Sequence, residues 1–319
     1  MDKKINIAIC LSTEPRFWQT AADSISNFRS LNESEQCQVD VFYHFWDDVT
    51  CQWPDKPRDV KLTDDPIIRN IDPATLQHHF KPIVGVCESK DTLDPHIDEA
   101  WEYIQSLKQK HNISDSTIAK VCLTATCCKL EELKAINMSI KEAFYATIKR
   151  TNRIKLSQIM SMCKSLILMS DYAEKNNIYY DVVIRSRSDV YINPTEFKSI
   201  QAIVQKDRLS RYILFPDLSV KSPWDKSLGL YTPYAIFDFF VSSSNIIKKD
   251  IFKDYTKKII ELMFLAKSKN LLKRSVQNIV PLFLKQHREI VLRGRLKPFG
   301  WSYYQKKVIH KSRNHDKTR

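Results

Sequence analysis

The sequence predicts an α/β fold, a mostly parallel sheet with flanking helices, followed by a basic helical C-terminal region. Three observations predict it. Short apolar runs with polar ends recur at 5–12, 39–46 and 180–192, and a stretch of helical spacing joins the first two, which is the strand–helix–strand order of a parallel layer. Residues 94–174 are mostly helical in their spacing. The charge is uneven: of a net +13, residues 245–319 hold 20 Lys and Arg against 5 Asp and Glu, a local +15, leaving about −2 on the 244 residues before them.

The elements follow in order. Ile-Asn-Ile-Ala-Ile-Cys-Leu-Ser at 5–12 reads as a buried strand that stops at Thr13-Glu14-Pro15. It does not read as a leader peptide, because its apolar run is about seven residues long with Asn6 inside it. Phe17, Ala21, Ile25 and Phe28 put a helix at 16–30. The second strand, 39–46, closes on Asp47-Asp48, and residues 50–75, rich in Pro, Asp and Lys, read as loop. A short strand is expected at 82–87 and a long helix at 153–174, the latter with Ile154, Ile159, Met162, Cys163, Leu166, Leu168 and Met169 on its apolar face. Residues 180–192 open as a buried strand and turn polar halfway. Residues 211–216 form another strand, and 234–243 are apolar around the single carboxylate of Asp238. The expected organisation is one domain over 1–247, with a largely helical insertion at about 94–174, and a basic helical extension over 248–319 whose last residues, 311–319, are disordered.

Composition excludes several function classes. The four glycines, Gly85, Gly229, Gly294 and Gly300, cannot write a phosphate loop or a G-x-G-x-x-G fingerprint, because both need clustered glycines where backbone approaches phosphate. No stretch approaches the ~18–20 apolar residues of a membrane span. Eight scattered cysteines without a C-x-x-C read as free thiols of a reducing, cytoplasmic setting, and His78-His79 reads as surface.

Four constellations carry chemistry. Arg185-Ser186-Arg187-Ser188-Asp189 ends a Val-Val-Ile strand and, while extended, aims two guanidiniums and a carboxylate to one face. Arginine forks match phosphate oxygens and a neighbouring carboxylate suits a divalent cation, while an internal salt-bridge ladder fits the same residues. Ser12-Thr13-Glu14-Pro15-Arg16 leaves the first strand at the sheet's carboxyl edge, where α/β sheets bind ligands; a helix N-cap fits it equally. His44-Phe45-Trp46-Asp47 closes the second strand as a candidate site, with a satisfied core histidine as the other reading of His44. Asp238 among aromatics suits a general base, or a structural hydrogen bond.

Ile-Ala-Ile-Cys-Leu-Ser-x-Glu-Pro-Arg-Phe-Trp at 7–18, Val-Asp-Val-Phe-Tyr-His-Phe-Trp-Asp at 39–47 and Tyr-Asp-Val-Val-Ile-Arg-Ser-Arg-Ser-Asp-Val at 180–190 resemble glycosyltransferases of bacterial polysaccharide gene clusters, which make capsule, O-antigen or lipopolysaccharide outer core. Phe80-Lys81-Pro82, Glu88-Ser89, the helix with Leu156-Ser157-Gln158 and Ser161, and the block from Phe237 to Ser244 join that likeness. The resemblance implies a GT-A-like, Rossmann-type domain over 1–247, a nucleoside diphosphate sugar as donor, and a glycan or lipid-linked acceptor. It implies a divalent cation, Mn²⁺ or Mg²⁺, at an Asp-x-Asp-like position. Arg187 stands where that motif has its first acid, leaving Asp189 as the metal ligand, and Ser242 stands where a glycine is usual. Ser12, Glu14, Arg16, His44, Trp46, Asp47, Arg185 and Arg187 are then the donor-binding residues and Asp238 the catalytic base. The basic C-terminal quarter, with Phe299, Trp301, Tyr303 and Tyr304, suits an anionic membrane surface, which makes the expected location cytoplasmic or peripheral on the inner membrane face. Nucleic-acid binding through the same quarter, or a glycosyltransferase-like scaffold without activity, are the alternatives.

Overall fold

The computed structural model describes residues 4–15, 18–35, 37–50, 68–123, 130–150, 156–188, 192, 212–216, 239–245, 247 and 291–296. The chain opens with β1 (Ile5–Thr13), α1 (Trp18–Asn32) and β2 (Cys37–Trp46), then the antiparallel pair β3 (Asp48–Thr50) and β4 (Ile68–Asn70). It continues through α2 (Pro73–Phe80), β5 (Val84–Glu88) and a 3-10 turn at Lys90–Leu93. Five helices follow: α3 (Asp94–His111), α4 (Asp115–Leu123), α5 (Leu130–Ala135), α6 (Ile140–Arg150) and α7 (Leu156–Asn176). The chain then lays down β6 (Val182–Arg187), β7 (Tyr212–Pro216), β8 (Phe239–Ser242) and β9 (Val291–Leu296).

Among the described residues seven strands make one sheet in the order β5-β2-β1-β6-β8-β7-β9. β5, β2, β1 and β6 are mutually parallel, β8 runs antiparallel to both neighbours, and β9 is parallel to β7. The expected α/β architecture with a mostly parallel sheet is what the described residues form.

Strand parity sorts the side chains. Ile7, Ile9 and Leu11 of β1, Val39, Val41, Tyr43 and Phe45 of β2, and Val182 and Ile184 of β6 join one core with Ala21, Ala22, Ile25 and Phe28 of α1 and Leu76 and Phe80 of α2. Each large apolar side chain so buried contributes roughly 1.5–3 kcal/mol. The alternate residues face α7: Phe42 meets Tyr172, and His44 and Trp46 reach Ser161 and Ser157. A second core unites Trp46 with α3, α4, α5, α6 and Met160 of α7, so α3 to α6 join the sheet at the Trp46 end of β2 while α7 lies along its face.

Two expectations change. Residues 50–75 are not all loop, since they hold β4 and the start of α2. Asp72 caps that helix, accepting from Ala74 N–H at 3.1 Å and Thr75 N–H at 3.1 Å, with Pro73 in its first turn. Residues 291–296 lie in the stretch read as helical and form a strand; Val-Leu-Arg-Gly-Arg-Leu alternates, and Gly294 disfavours helix. The rest of 248–319 lies outside the described residues.

Among the described residues the thiols of Cys10, Cys37 and Cys163 are free, and His78 and His79 are exposed, both as expected. Among the described residues no helix is long and apolar enough to cross a membrane.

Candidate functional site

The chain winds outward from β1 to β2 to β5, then returns to place β6 on the other side of β1. The strand order therefore reverses between β1 and β6. In an open α/β sheet the crevice outside the carboxyl ends at such a point is where ligands bind. Its walls here are residues 12–15, leaving β1, and 185–188, closing β6, with Ser12 opposite Arg187 in the register.

The β1 side is tightly held. Thr13 has φ 99°, in the half of backbone space that β-branched residues rarely enter, at a cost of roughly 1–3 kcal/mol. Its N–H donates to Ser161 Oγ at 2.7 Å. Glu14 Oε1 accepts from Lys90 Nζ at 2.6 Å, both side chains being buried. The Glu14 carbonyl accepts from Ser188 Oγ at 2.7 Å, and Arg185 Nη2 donates to Ser12 Oγ at 2.7 Å, so two hydrogen bonds cross the switch point.

Next to this wall lies a polar network on the α7 face. Ser161 Oγ donates to the His44 carbonyl at 2.7 Å and sits 3.0 Å from His44 Nδ1, while His44 Nε2 lies 3.3 Å from Glu88 Oε2. Lys164 also binds Glu88, and its ammonium lies 5.5 Å from the centre of the Trp46 ring. Thr92 Oγ1 donates to Glu88 Oε2 at 3.3 Å. Burial pushes the His44 imidazolium below its ordinary range, against the pull of Glu88. The hydrogen bond from His44, then that from Lys164, holds Glu88 at about 2. A neutral His44 beside an ionised Glu88 fits both shifts. Asp47, half-buried after β2, has its carboxyl raised, chiefly by burial.

The structure thus brings Ser12, Glu14, His44, Trp46, Asp47, Arg185 and Arg187 to one sheet edge. It does not expose them alike. Ser12, Glu14, His44, Trp46 and Arg185 are buried, and only Asp47 and Arg187 are partly open. The buried five lie beneath the surface of this sheet end. Parity causes this for Ser12, His44 and Arg185, which point into the face that α7 covers. Arg16, Asp189 and Asp238 lie outside the described residues. Asp189 follows Ser188 in the chain, and Asp238 precedes Phe239, whose register partner is Ser186 at the same end of β6.

Lys90 and Lys164 were missed by sequence reasoning, and Glu88 was noticed only as part of a motif. The available signal was the polar exit Glu88-Ser89-Lys90-Asp91 after an apolar strand, the same pattern that flagged the ends of β1 and β2. Among the described residues no group of three His, Cys, Asp or Glu is placed to hold a metal ion. Comparison with known proteins returns no matching family model, no matching curated protein and no matching solved structure.

Proposed function

We propose that the chain is a GT-A-like glycosyltransferase that moves a sugar from a nucleoside diphosphate sugar to a hydroxyl of a bacterial surface glycan or lipid-linked oligosaccharide. The observation that carries this reading is the reversal of strand order between β1 and β6 with Arg187 partly open at that edge. A sheet of this kind offers a nucleotide the carboxyl ends of its strands, and a guanidinium there offers a two-point contact to phosphate. The motif resemblance supplies the substrate classes, a nucleoside diphosphate sugar and a glycan or lipid-linked acceptor.

In this mechanism Arg187 neutralises the diphosphate as the bond from the anomeric carbon to its oxygen breaks. The acceptor oxygen forms the new bond to that carbon. Its proton passes to Asp238 if the anomeric configuration inverts. Asp47 lines the nucleoside side, and Ser12, Glu14, His44, Trp46 and Arg185 fix the floor beneath. A divalent cation, Mn²⁺ or Mg²⁺, is the group the resemblance implies, and Asp189 is the residue that would hold it, supplying charge neutralisation beside Arg187. The described residues offer no carboxylate set for it, so no step here runs through the metal.

The test is a thermal-shift panel of UDP, GDP, CDP, CMP and ADP, each with and without Mn²⁺. A ligand that binds the folded state alone raises Tm by mass action. One nucleotide is expected to raise it, and the Mn²⁺ arm reads the role of Asp189. No rise with any nucleotide would contradict the transferase reading and favour a scaffold or nucleic-acid-binding protein.

A further inference from the structure

Lys90 lies in the turn after β5, two strands away from β1, yet its ammonium reaches Glu14 at 2.6 Å and both side chains are buried. A buried ion pair is weak support for a fold, since two well-packed apolar residues of similar volume serve stability as well. A directed pair does more to fix where its two parent segments lie. On one side the parent segment is the turn that carries Thr13 at φ 99°. Such outliers persist only where the surroundings over-determine them. Three elements converge on this turn: α7 through Ser161 on the Thr13 N–H, the end of β6 through Ser188 on the Glu14 carbonyl, and the β5 exit through Lys90 on the Glu14 carboxylate. Ser188 directly follows Arg187, so what holds Glu14 also holds the Arg187 end of β6.

We propose that Lys90 is a positioning residue: its buried pair with Glu14 holds the β1–α1 turn, and through Ser188 the Arg187 end of β6, in the arrangement that receives the diphosphate of the donor. The last clause rests on the transferase reading; the hold on the turn does not.

The test uses the full chain. Lys90→Met alone strips the ammonium from a buried carboxylate and challenges folding as much as positioning. The decisive variant is therefore Glu14→Leu with Lys90→Met, which removes both charges; Lys90→Arg is the conservative control. Two quantities are read: amide hydrogen exchange in residues 12–14 and 186–188, and affinity for inorganic pyrophosphate. The double variant is expected to keep the denaturant midpoint of wild type. Exchange in the two segments should rise about tenfold, with residues 7–9 unchanged, as expected for a local rather than a global opening. Pyrophosphate affinity should fall about tenfold, and Lys90→Arg should stay near wild type on both counts. Wild-type exchange in the folded double variant would overturn the proposal. Faster exchange with unchanged pyrophosphate affinity would overturn it too, because the turn would then be held for no ligand. If wild type takes up neither pyrophosphate nor any nucleoside diphosphate, the transferase reading falls, and the exchange arm alone decides the hold on the turn.

Discussion

Ser161 serves three groups with one hydroxyl: the Thr13 N–H, the His44 carbonyl and His44 Nδ1. Ser161→Ala leaves a buried N–H without that acceptor beside a strained residue, so a loss of about 1–3 kcal/mol is expected in urea unfolding. A change within a few tenths would show that water replaces the hydroxyl. The His44–Glu88 pair sets a pH dependence whose sign follows from the two shifts. His44 is depressed when folded, so as pH falls below its ordinary 6.5 the unfolded chain takes up a proton that the folded chain refuses, and stability declines. Glu88 is also depressed, so its contribution is complete above 4.5 and is lost as pH falls toward about 2. His44→Gln should narrow the lower window, since His44 is the leading cause of the Glu88 depression, and should flatten the urea midpoint's decline just below pH 6.5. An unaltered slope there would mean that His44 is not the titrating group. The sequence made Ser12, His44 and Arg185 legible as strand-end polar residues, and their burial follows from parity once the face that α7 covers is known. The pairing of Lys90 with Glu14 was not legible, because the two are distant in sequence and no local periodicity encodes it.

β5 shows how an element depends on one small residue. A Cβ on Gly85 would lie 2.4 Å from Tyr43 Cζ and 2.8 Å from its hydroxyl oxygen. That ring cannot swing aside, since it stacks on Phe45 at 4.7 Å and packs against Phe80 at 5.9 Å. Gly85→Ala is therefore expected to destabilise by roughly 1–3 kcal/mol through overpacking. A neutral result in thermal unfolding would mean that β5 can shift away from β2. The long, strongly patterned elements were readable from sequence: β1, β2, α7 and β6 lie within a few residues of their expected spans. The short ones were not. α2 has eight residues, and its identity rests on the Asp72 cap and on burying Leu76 and Phe80, while the Pro- and Asp-rich composition around it signals loop. β3 and β4 are three residues each and form through their mutual pairing, which no local pattern announces.

For the whole molecule, the decisive fact is topological. The parallel strands β2 and β5 lie on one side of β1 and the parallel β6 on the other, α1 and α2 pack on one face and α7 on the other, and the carboxyl ends of β1 and β6 meet where those directions diverge. The strand–helix–strand opening of the sequence made a parallel sheet legible. The reversal was not, because the helical insertion between β5 and β6 says nothing about which side of β1 the chain returns to. The central claim is that this edge binds a nucleoside diphosphate through Arg187. Its most direct test is calorimetric titration of UDP, GDP, CDP and ADP into wild type and into Arg187→Ala. One nucleotide is expected to bind wild type and to bind the variant at least about tenfold more weakly, the loss of a charge-assisted two-point contact. Equal affinity in the two proteins, or no binding to wild type, would contradict the account.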